Sequence, residues 1–151
     1  MGCTVQYDNG VALIDTRGLN THQVPEKYVK KIISSIILMG AVLQRTGNVE
    51  IAYPGGCEIG LRPIDLHLKG LRKLGVEIHE KSGVLVGSVK EPVGCEILLD
   101  YPSVGATENI MLFAVGIHGK TVIHNPAKEP EIVDLQNFLN TCGYFVTGAG
   151  T

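Results

Sequence analysis

A cysteine and an arginine in a glycine-rich segment are the residues of this sequence best suited to chemistry. Cys57 lies among the three glycines of the stretch 54–63, and Arg62 closes that stretch. Glycine permits positive φ, so backbone donors and a thiol can come close to a ligand there. A guanidinium and a helix N-terminus near a thiol favour its reactive thiolate, and arginine can also bind phosphate with two hydrogen bonds. The stretch is therefore a candidate catalytic loop, although spacing alone is equally compatible with Cys57 as a small apolar surface residue.

The starts of two predicted helices offer further polar groups. Residues 102–107 read Pro-Ser-Val-Gly-Ala-Thr and combine hydroxyls with the free amides of a helix N-terminus, which suits an anion. Ordinary helix capping explains the same pattern. Asp65 and His67 lie at the start of another helix, where a carboxylate favours the helix dipole and a histidine is often only solvated. A nucleophilic pair of Cys57 and His67 has no visible third member.

Composition argues against several other kinds of site. The cysteines are far apart without a CxxC pair, and the remaining histidines show no ligand spacing, so no metal site is predicted. A formal charge of -2 without a basic patch predicts neither nucleic-acid nor membrane binding. No secretory signal is visible, and the apolar stretch 32–42 is too short to span a bilayer. We therefore expect a cytoplasmic protein with free thiols.

The elements that must hold these residues are alternating helices and strands. Helices are predicted where apolar residues recur at three- and four-residue steps, at 29–43, 64–74, 106–117 and 130–142. Short strands are predicted between them, at 3–7, 11–15, 49–53, 76–79, 84–89, 95–99, 121–125 and 144–146. Asp8-Asn9-Gly10 is a strong hairpin signal.

These elements repeat along the chain. The stretch 47–54 matches 119–126, and 74–78 matches 142–146, which leaves an insertion in the first copy at the candidate catalytic loop. We interpret the chain as an α/β (α+β) domain of pseudo-symmetric units, each with the order strand, helix, strand, helix, strand, strand. Residues 1–20 would be the tail of one unit, residues 21–93 a second unit, and residues 94–151 a third that lacks its last strand.

Three stretches resemble the UDP-N-acetylglucosamine enolpyruvyl transferase family. Residues 54–67, Pro-Gly-Gly-Cys-Glu-Ile-Gly-Leu-Arg-Pro-Ile-Asp-Leu-His, are similar to its catalytic loop, and residues 100–111 and 129–139 are similar to two further stretches. The resemblance spans nearly the whole chain. It implies a protein of two similar domains, each an inside-out α/β barrel of three such units, with substrates bound between them. This chain would be an incomplete copy of the domain that carries the catalytic loop.

The resemblance also implies an activity. Family members transfer the enolpyruvyl group of phosphoenolpyruvate to the 3-hydroxyl of UDP-N-acetylglucosamine by addition and then elimination of phosphate, the first committed step of peptidoglycan synthesis. No metal or organic cofactor is implied. Cys57 matches the loop cysteine, which protonates the methylene carbon of phosphoenolpyruvate, forms an adduct with it and is alkylated by the epoxide fosfomycin. A tunable thiol suits both roles, because it can act as an acid and as a thiolate.

The substrate contacts implied by the resemblance fall into three groups. Arg62 would pair with anionic phosphate; Pro63, Ile64, Asp65 and Leu66 would contact the uridine nucleotide largely through their backbone; Tyr101, Pro102, Ser103 and Val104 would line the diphosphate side. Many members have an arginine at the position of Ile33, and some have a lysine at that of Tyr101. The family's lysine and asparagine that grip phosphoenolpyruvate, and the second domain with its aspartate base, have no counterpart here. We therefore expect the isolated chain to be inactive.

Two alternatives to this transferase remain. The chain can be a noncatalytic nucleotide-binding or interaction domain that keeps the fold, which is consistent with Ile33 and Tyr101. The sister enolpyruvyl family that acts on shikimate 3-phosphate shares the architecture, but it lacks the cysteine loop.

Overall fold

The computed structural model describes residues 1–29, 33–53 and 64–151, without the side chain of Ile33. The helices are α1 (Glu26–Val29), a 3-10 helix (Ile33–Ile37), α2 (Leu38–Thr46), α3 (Asp65–Lys73), α4 (Val104–Ala114) and α5 (Pro130–Thr141). The strands are β1 (Thr4–Asp8), β2 (Val11–Asp15), β3 (Gln23–Val24), β4 (Asn48–Ala52), β5 (Val76–Lys81), β6 (Val84–Val89), β7 (Glu96–Leu98) and β8 (Val122–His124). None of these helices is long and apolar enough to cross a membrane.

The strands within these ranges form three sheets. β1 and β2 make an antiparallel hairpin, in which Asp8 pairs with Val11. Positive φ angles of 48° at Asn9 and 79° at Gly10 are those of a type I′ turn, so the predicted hairpin is confirmed. The second sheet has the order β3-β4-β6-β5, with β3 and β4 parallel and the other pairs antiparallel. β7 and β8 form a parallel pair.

The order of elements confirms the predicted α/β class. From β3 to β6 the chain runs strand, helix, strand, helix, strand, strand, with the short helices up to α2 filling the first helical place. From β7 to α5 it repeats the first four of these elements. The parallel pairs β3–β4 and β7–β8 are each joined through helices, as parallel strands require. The proposed limits of the units stay a prediction.

The predicted helix at 29–43 is not continuous. Among the described residues, α1 covers Glu26–Val29, residues Ile33–Ile37 form a 3-10 helix, and only α2 is a longer α-helix. The buried Ser35 hydroxyl donates to the carbonyl of Val29 at 3.4 Å, and such side-chain bonds compete with regular helical ones. Gly47 ends α2 as predicted, with a φ of 74° and its N–H bonded to the carbonyl of Leu43 at 2.8 Å.

The predicted strand at 144–146 is wrong. The amide side chain of Asn140 accepts from the N–H of Val146 at 2.8 Å and donates to its carbonyl at 2.9 Å. The backbone of Val146 is therefore held by α5 instead of by a neighbouring strand. β3 was missed, because a strand of two residues shows no periodicity.

The core of the molecule is organised around α4. Most of this helix is buried, and it packs against α2, α3 and α5. Glycines allow two close approaches to α4: a Cβ on Gly40 of α2 would collide with the backbone oxygen of Asn109, and one on Gly70 of α3 with the side chain of Ile110. α4 is thus a central helix whose position fixes those around it.

Candidate functional site

The predicted site residues divide into two groups. Cys57, Arg62 and Pro63 lie outside the described residues. The others lie on two elements: Ile64, Asp65 and Leu66 at the start of α3, and Tyr101, Pro102, Ser103 and Val104 in the turn that leads into α4. The geometry of the site is therefore that of these two helix starts.

The start of α3 is anchored by its apolar residues. The side chains of Ile64 and Leu66 are buried in the main core, whereas Asp65 is exposed in the first turn. A carboxylate at this place is favourable for the helix dipole, as predicted. Among the described residues, none caps this helix end with its side chain. Because Ile64 and Leu66 are buried, the backbone and the side chain of Asp65 are the parts of this turn that can face a ligand.

The start of α4 is fixed by two hydroxyl groups. Ser103 has an extended backbone, and its Oγ accepts from the N–H of Ala106 at 3.4 Å. The Thr107 hydroxyl donates to the carbonyl of Ser103 at 2.8 Å and accepts from the N–H of Ala127 at 3.1 Å. Ser103 is thus a helix cap, as its position indicated, and its assignment to an anion stays a prediction. Its turn is held rigidly from both sides.

The two helix starts are in contact. A Cβ on Gly105, in the first turn of α4, would lie 3.1 Å from Cε1 and 3.4 Å from Nε2 of His67, in the first turn of α3. Lys69 and Asp100 join the same two segments through an ion pair of 2.7 Å. Each helix start carries a partial positive charge and free amides. Two such ends side by side form an environment suited to a phosphate or diphosphate.

His67 is not the solvated histidine that its position suggested, because only 6% of it is exposed. Its Nδ1 lies 3.0 Å from Nδ2 of Asn109, on α4. Asn109 is itself fully buried, donates to the carbonyl of Ile36 at 3.1 Å and accepts from the N–H of Gly40 at 2.6 Å. Asn109 was not among the predicted site residues, although an asparagine inside an apolar helical run is a recognisable signal of a buried polar network.

Residues 1–29, 33–53 and 64–151 contain no group of three His, Cys, Asp or Glu side chains placed to hold a metal ion. Cys3, Cys95 and Cys142 are free thiols. The possible nucleophilic pair of Cys57 and His67 involves a residue outside the described ranges.

Known proteins resemble the chain over its whole length. The profile of the family described as EPSP synthase (3-phosphoshikimate 1-carboxyvinyltransferase) matches residues 1–151. UDP-N-acetylglucosamine 1-carboxyvinyltransferase 2 of Caldanaerobacter subterraneus subsp. tengcongensis is 53% identical over 151 residues, which are 100% of this chain and 36% of that protein. UDP-N-acetylglucosamine 1-carboxyvinyltransferase 1 of Staphylococcus aureus strain N315 is 46% identical over 149 residues, 98% of this chain and 35% of that protein. The chain thus spans about a third of the length of these relatives.

Solved structures show the same fold at low sequence identity. The enolpyruvyl transferase NikO from Streptomyces tendae superimposes with a TM-score of 0.77 at 21% identity, over 92% of this chain and 33% of that one. EPSP synthase from Acinetobacter baumannii gives a TM-score of 0.72 at 20% identity, over 99% and 35% of the two chains. The predicted enolpyruvyl-transferase-like fold is confirmed, as is the similarity to UDP-N-acetylglucosamine carboxyvinyltransferases. With its full length matched, the chain belongs to the EPSP synthase (3-phosphoshikimate 1-carboxyvinyltransferase) family, a family of enzymes.

Proposed function

We propose that this chain is part of an enzyme that transfers the enolpyruvyl group of phosphoenolpyruvate to the 3-hydroxyl of UDP-N-acetylglucosamine. This reaction is the first committed step of peptidoglycan synthesis. The names of relatives that are 46% to 55% identical support this acceptor. The family profile is described by the sister activity on 3-phosphoshikimate, but the segment that carries Cys57 resembles the loop of the UDP-N-acetylglucosamine enzymes.

The contact between the starts of α3 and α4 is the observation that carries the proposal. The described residues that resemblance assigns to the nucleotide lie on these two segments, which are far apart in the sequence. In the structure the helix starts meet at Gly105 and His67, and Ser103 caps one of them. Two amide-rich helix ends at one place support the binding of a diphosphate. Tyr101 supplies no cation there, so the helix ends and Arg62 would carry more of the attraction.

The chemical step is assigned to the loop at 54–63. The 3-hydroxyl of the acceptor passes its proton to the aspartate base of the second domain, and its oxygen forms a bond to C2 of phosphoenolpyruvate while Cys57 delivers a proton to the methylene carbon. Phosphate then leaves with the electron pair of its carbon–oxygen bond, and the Cys57 thiolate takes a proton from the new methyl group, which restores the double bond. Arg62 would hold the phosphate through paired hydrogen bonds, and Pro63 would position the nucleotide.

Catalysis is proposed to need more than these 151 residues. The relatives have about two thirds of their length beyond the part that this chain matches. A second domain would supply the groups that grip phosphoenolpyruvate and the aspartate base, and closure between domains would exclude water. We place the enzyme in the cytoplasm, where both substrates would be available to it.

Labelling by fosfomycin tests the proposal. The longest coding sequence that contains this chain is expressed and incubated with fosfomycin, with and without UDP-N-acetylglucosamine, and intact mass is measured. We expect one adduct that forms faster with the nucleotide and disappears in Cys57→Ser. The matched control Cys142→Ser removes an exposed thiol away from the two helix starts and should label like the wild type.

The outcomes separate the candidate functions. Phosphate release from phosphoenolpyruvate with UDP-N-acetylglucosamine, but not with shikimate 3-phosphate, supports the assigned acceptor, and the reverse preference refutes it. Nucleotide binding without labelling or turnover, while Cys57 still reacts with a generic maleimide, favours the noncatalytic binding domain. The 151-residue chain alone is expected to show no turnover.

A further inference from the structure

The buried asparagine on α4 joins three elements through one side chain. Asn109 is fully buried and bonds to the carbonyl of Ile36, the N–H of Gly40 and the imidazole of His67. These partners belong to the 3-10 helix, α2 and α3. A buried polar group of this kind is stable only when its bonds are made, so its geometry is closely specified.

The partners determine which way the amide of Asn109 points. A backbone N–H can only donate, so the atom that faces Gly40 must be Oδ1; a backbone carbonyl can only accept, so the atom that faces Ile36 must be Nδ2. The second hydrogen of Nδ2 then points at Nδ1 of His67, 3.0 Å away. Nδ1 must accept this hydrogen bond. The single hydrogen of the neutral imidazole is therefore on Nε2, because a doubly protonated ring would set two N–H groups against each other.

From this geometry we infer that Asn109 is a positioning residue, which holds His67 in the Nε2–H tautomer with its Cε1 and Nε2 edge beside Gly105. The edge that faces the start of α4 is then a hydrogen-bond donor. This consequence rests on the proposed function: beside a bound diphosphate a donor edge is attractive, whereas the other tautomer would present a lone pair. Asn109 touches no reacting atom and acts through His67.

The tautomer is read directly by long-range ¹H–¹⁵N NMR of the histidine side chains, with the His67 signals assigned by comparison with His67→Gln. We expect the Nε2–H form in the wild-type chain. Asn109→Asp replaces the donor by an acceptor, so Nδ1 should then carry the hydrogen. Asn109→Leu removes the donor without adding charge and should give a mixture of tautomers. Met111→Ala is the matched control: it loosens the other face of α4, in the second hydrophobic cluster, and should keep the wild-type tautomer.

An Nδ1–H tautomer in the wild type overturns the inference, and so does an unchanged tautomer in Asn109→Asp. The wild-type spectrum decides the matter even where a variant fails to fold. In the protein expressed from the longest coding sequence that contains this chain, Asn109→Leu should raise KM for UDP-N-acetylglucosamine about tenfold, with a smaller effect on kcat. A tenfold change corresponds to the loss of about one hydrogen bond to a charged group. If Met111→Ala changed KM and kcat as much as Asn109→Leu does, the role of Asn109 would be structural only. If the wild type binds no nucleotide, the proposed function fails while the tautomer result stands.

Discussion

Replacing Gly40 by alanine tests whether the close packing of α2 against α4 holds the core together. The new Cβ would overlap the backbone oxygen of Asn109 and lie 2.5 Å from Oδ1 of the same residue. Neither atom can move aside freely, since one is backbone and the other accepts the N–H of Gly40 at 2.6 Å. Overpacking costs about 1–3 kcal/mol, and a lost buried hydrogen bond costs about as much again. The higher helix propensity of alanine offsets at most about 1 kcal/mol of these costs. We therefore expect the free energy of unfolding to fall by about 3 kcal/mol.

Gly70→Ala is the matched comparison for this measurement. It places the same methyl group in a neighbouring helix against the same α4, but the atoms met are Cδ1 and Cγ1 of the Ile110 side chain, which is neither backbone nor held by a hydrogen bond. The gain in propensity then offsets most of the strain, so we expect a loss of about 1 kcal/mol. Urea unfolding of both variants gives the difference between their free energies of unfolding, provided that the two m-values are equal. Gly40→Ala as stable as Gly70→Ala, or more stable, would refute the packing argument.

Two substitutions of charged residues should change the free energy of unfolding by smaller amounts. Burial, and then the nearby Glu131, raise the pKa of the Glu108 carboxyl, so folding favours its protonated form. The stability that its protonation contributes is fully present below the ordinary pKa of an unfolded glutamate and is lost as pH rises through the raised folded pKa. The free energy of unfolding of Glu108→Gln, measured with urea, should therefore exceed that of the wild type by less than about 1 kcal/mol at about pH 7 and should equal it near pH 3. A difference that persists in acid would contradict this cause. Lys69→Met, which removes the exposed ion pair with Asp100, should cost less than about 1 kcal/mol and nothing measurable in about 1 M salt. A loss of several kcal/mol in the same urea assay would mean that the pair is a main support of the site.

Features governed by neighbouring residues were predictable from the sequence. The hairpin needed two positive φ angles, which Asn9 and Gly10 adopt readily, and the end of α2 needed one, which Gly47 supplies. Ser103 was recognisable as a cap because the signal lies within its own turn. The candidate loop was proposed from its chemistry and from the insertion between two repeated stretches, and it stays a prediction because it lies outside the described residues.

Features that depend on distant partners were not predictable. The strand expected at 144–146 fails because Asn140 binds the backbone of Val146, and apolar patterning does not encode such a bond. His67 looked like a solvated residue because its partner, Asn109, follows 42 positions later. The meeting of α3 and α4 likewise depends on Gly105, whose missing side chain is informative only once its neighbour is known.

The position of the two helix starts is set by the core more than by surface contacts. The ion pair of Lys69 and Asp100 is exposed, and pairs of this kind contribute at most about 1 kcal/mol. Burial of Ile64, Leu66 and Ile110 contributes about 2 kcal/mol for each side chain and orders the first turns on which the proposed nucleotide contacts lie. Substitutions at these apolar positions will change binding and stability together. An effect on binding can be separated from an effect on stability only at residues that face away from the core. Asp65 is such a residue, because it lies in the first turn of α3 and is exposed.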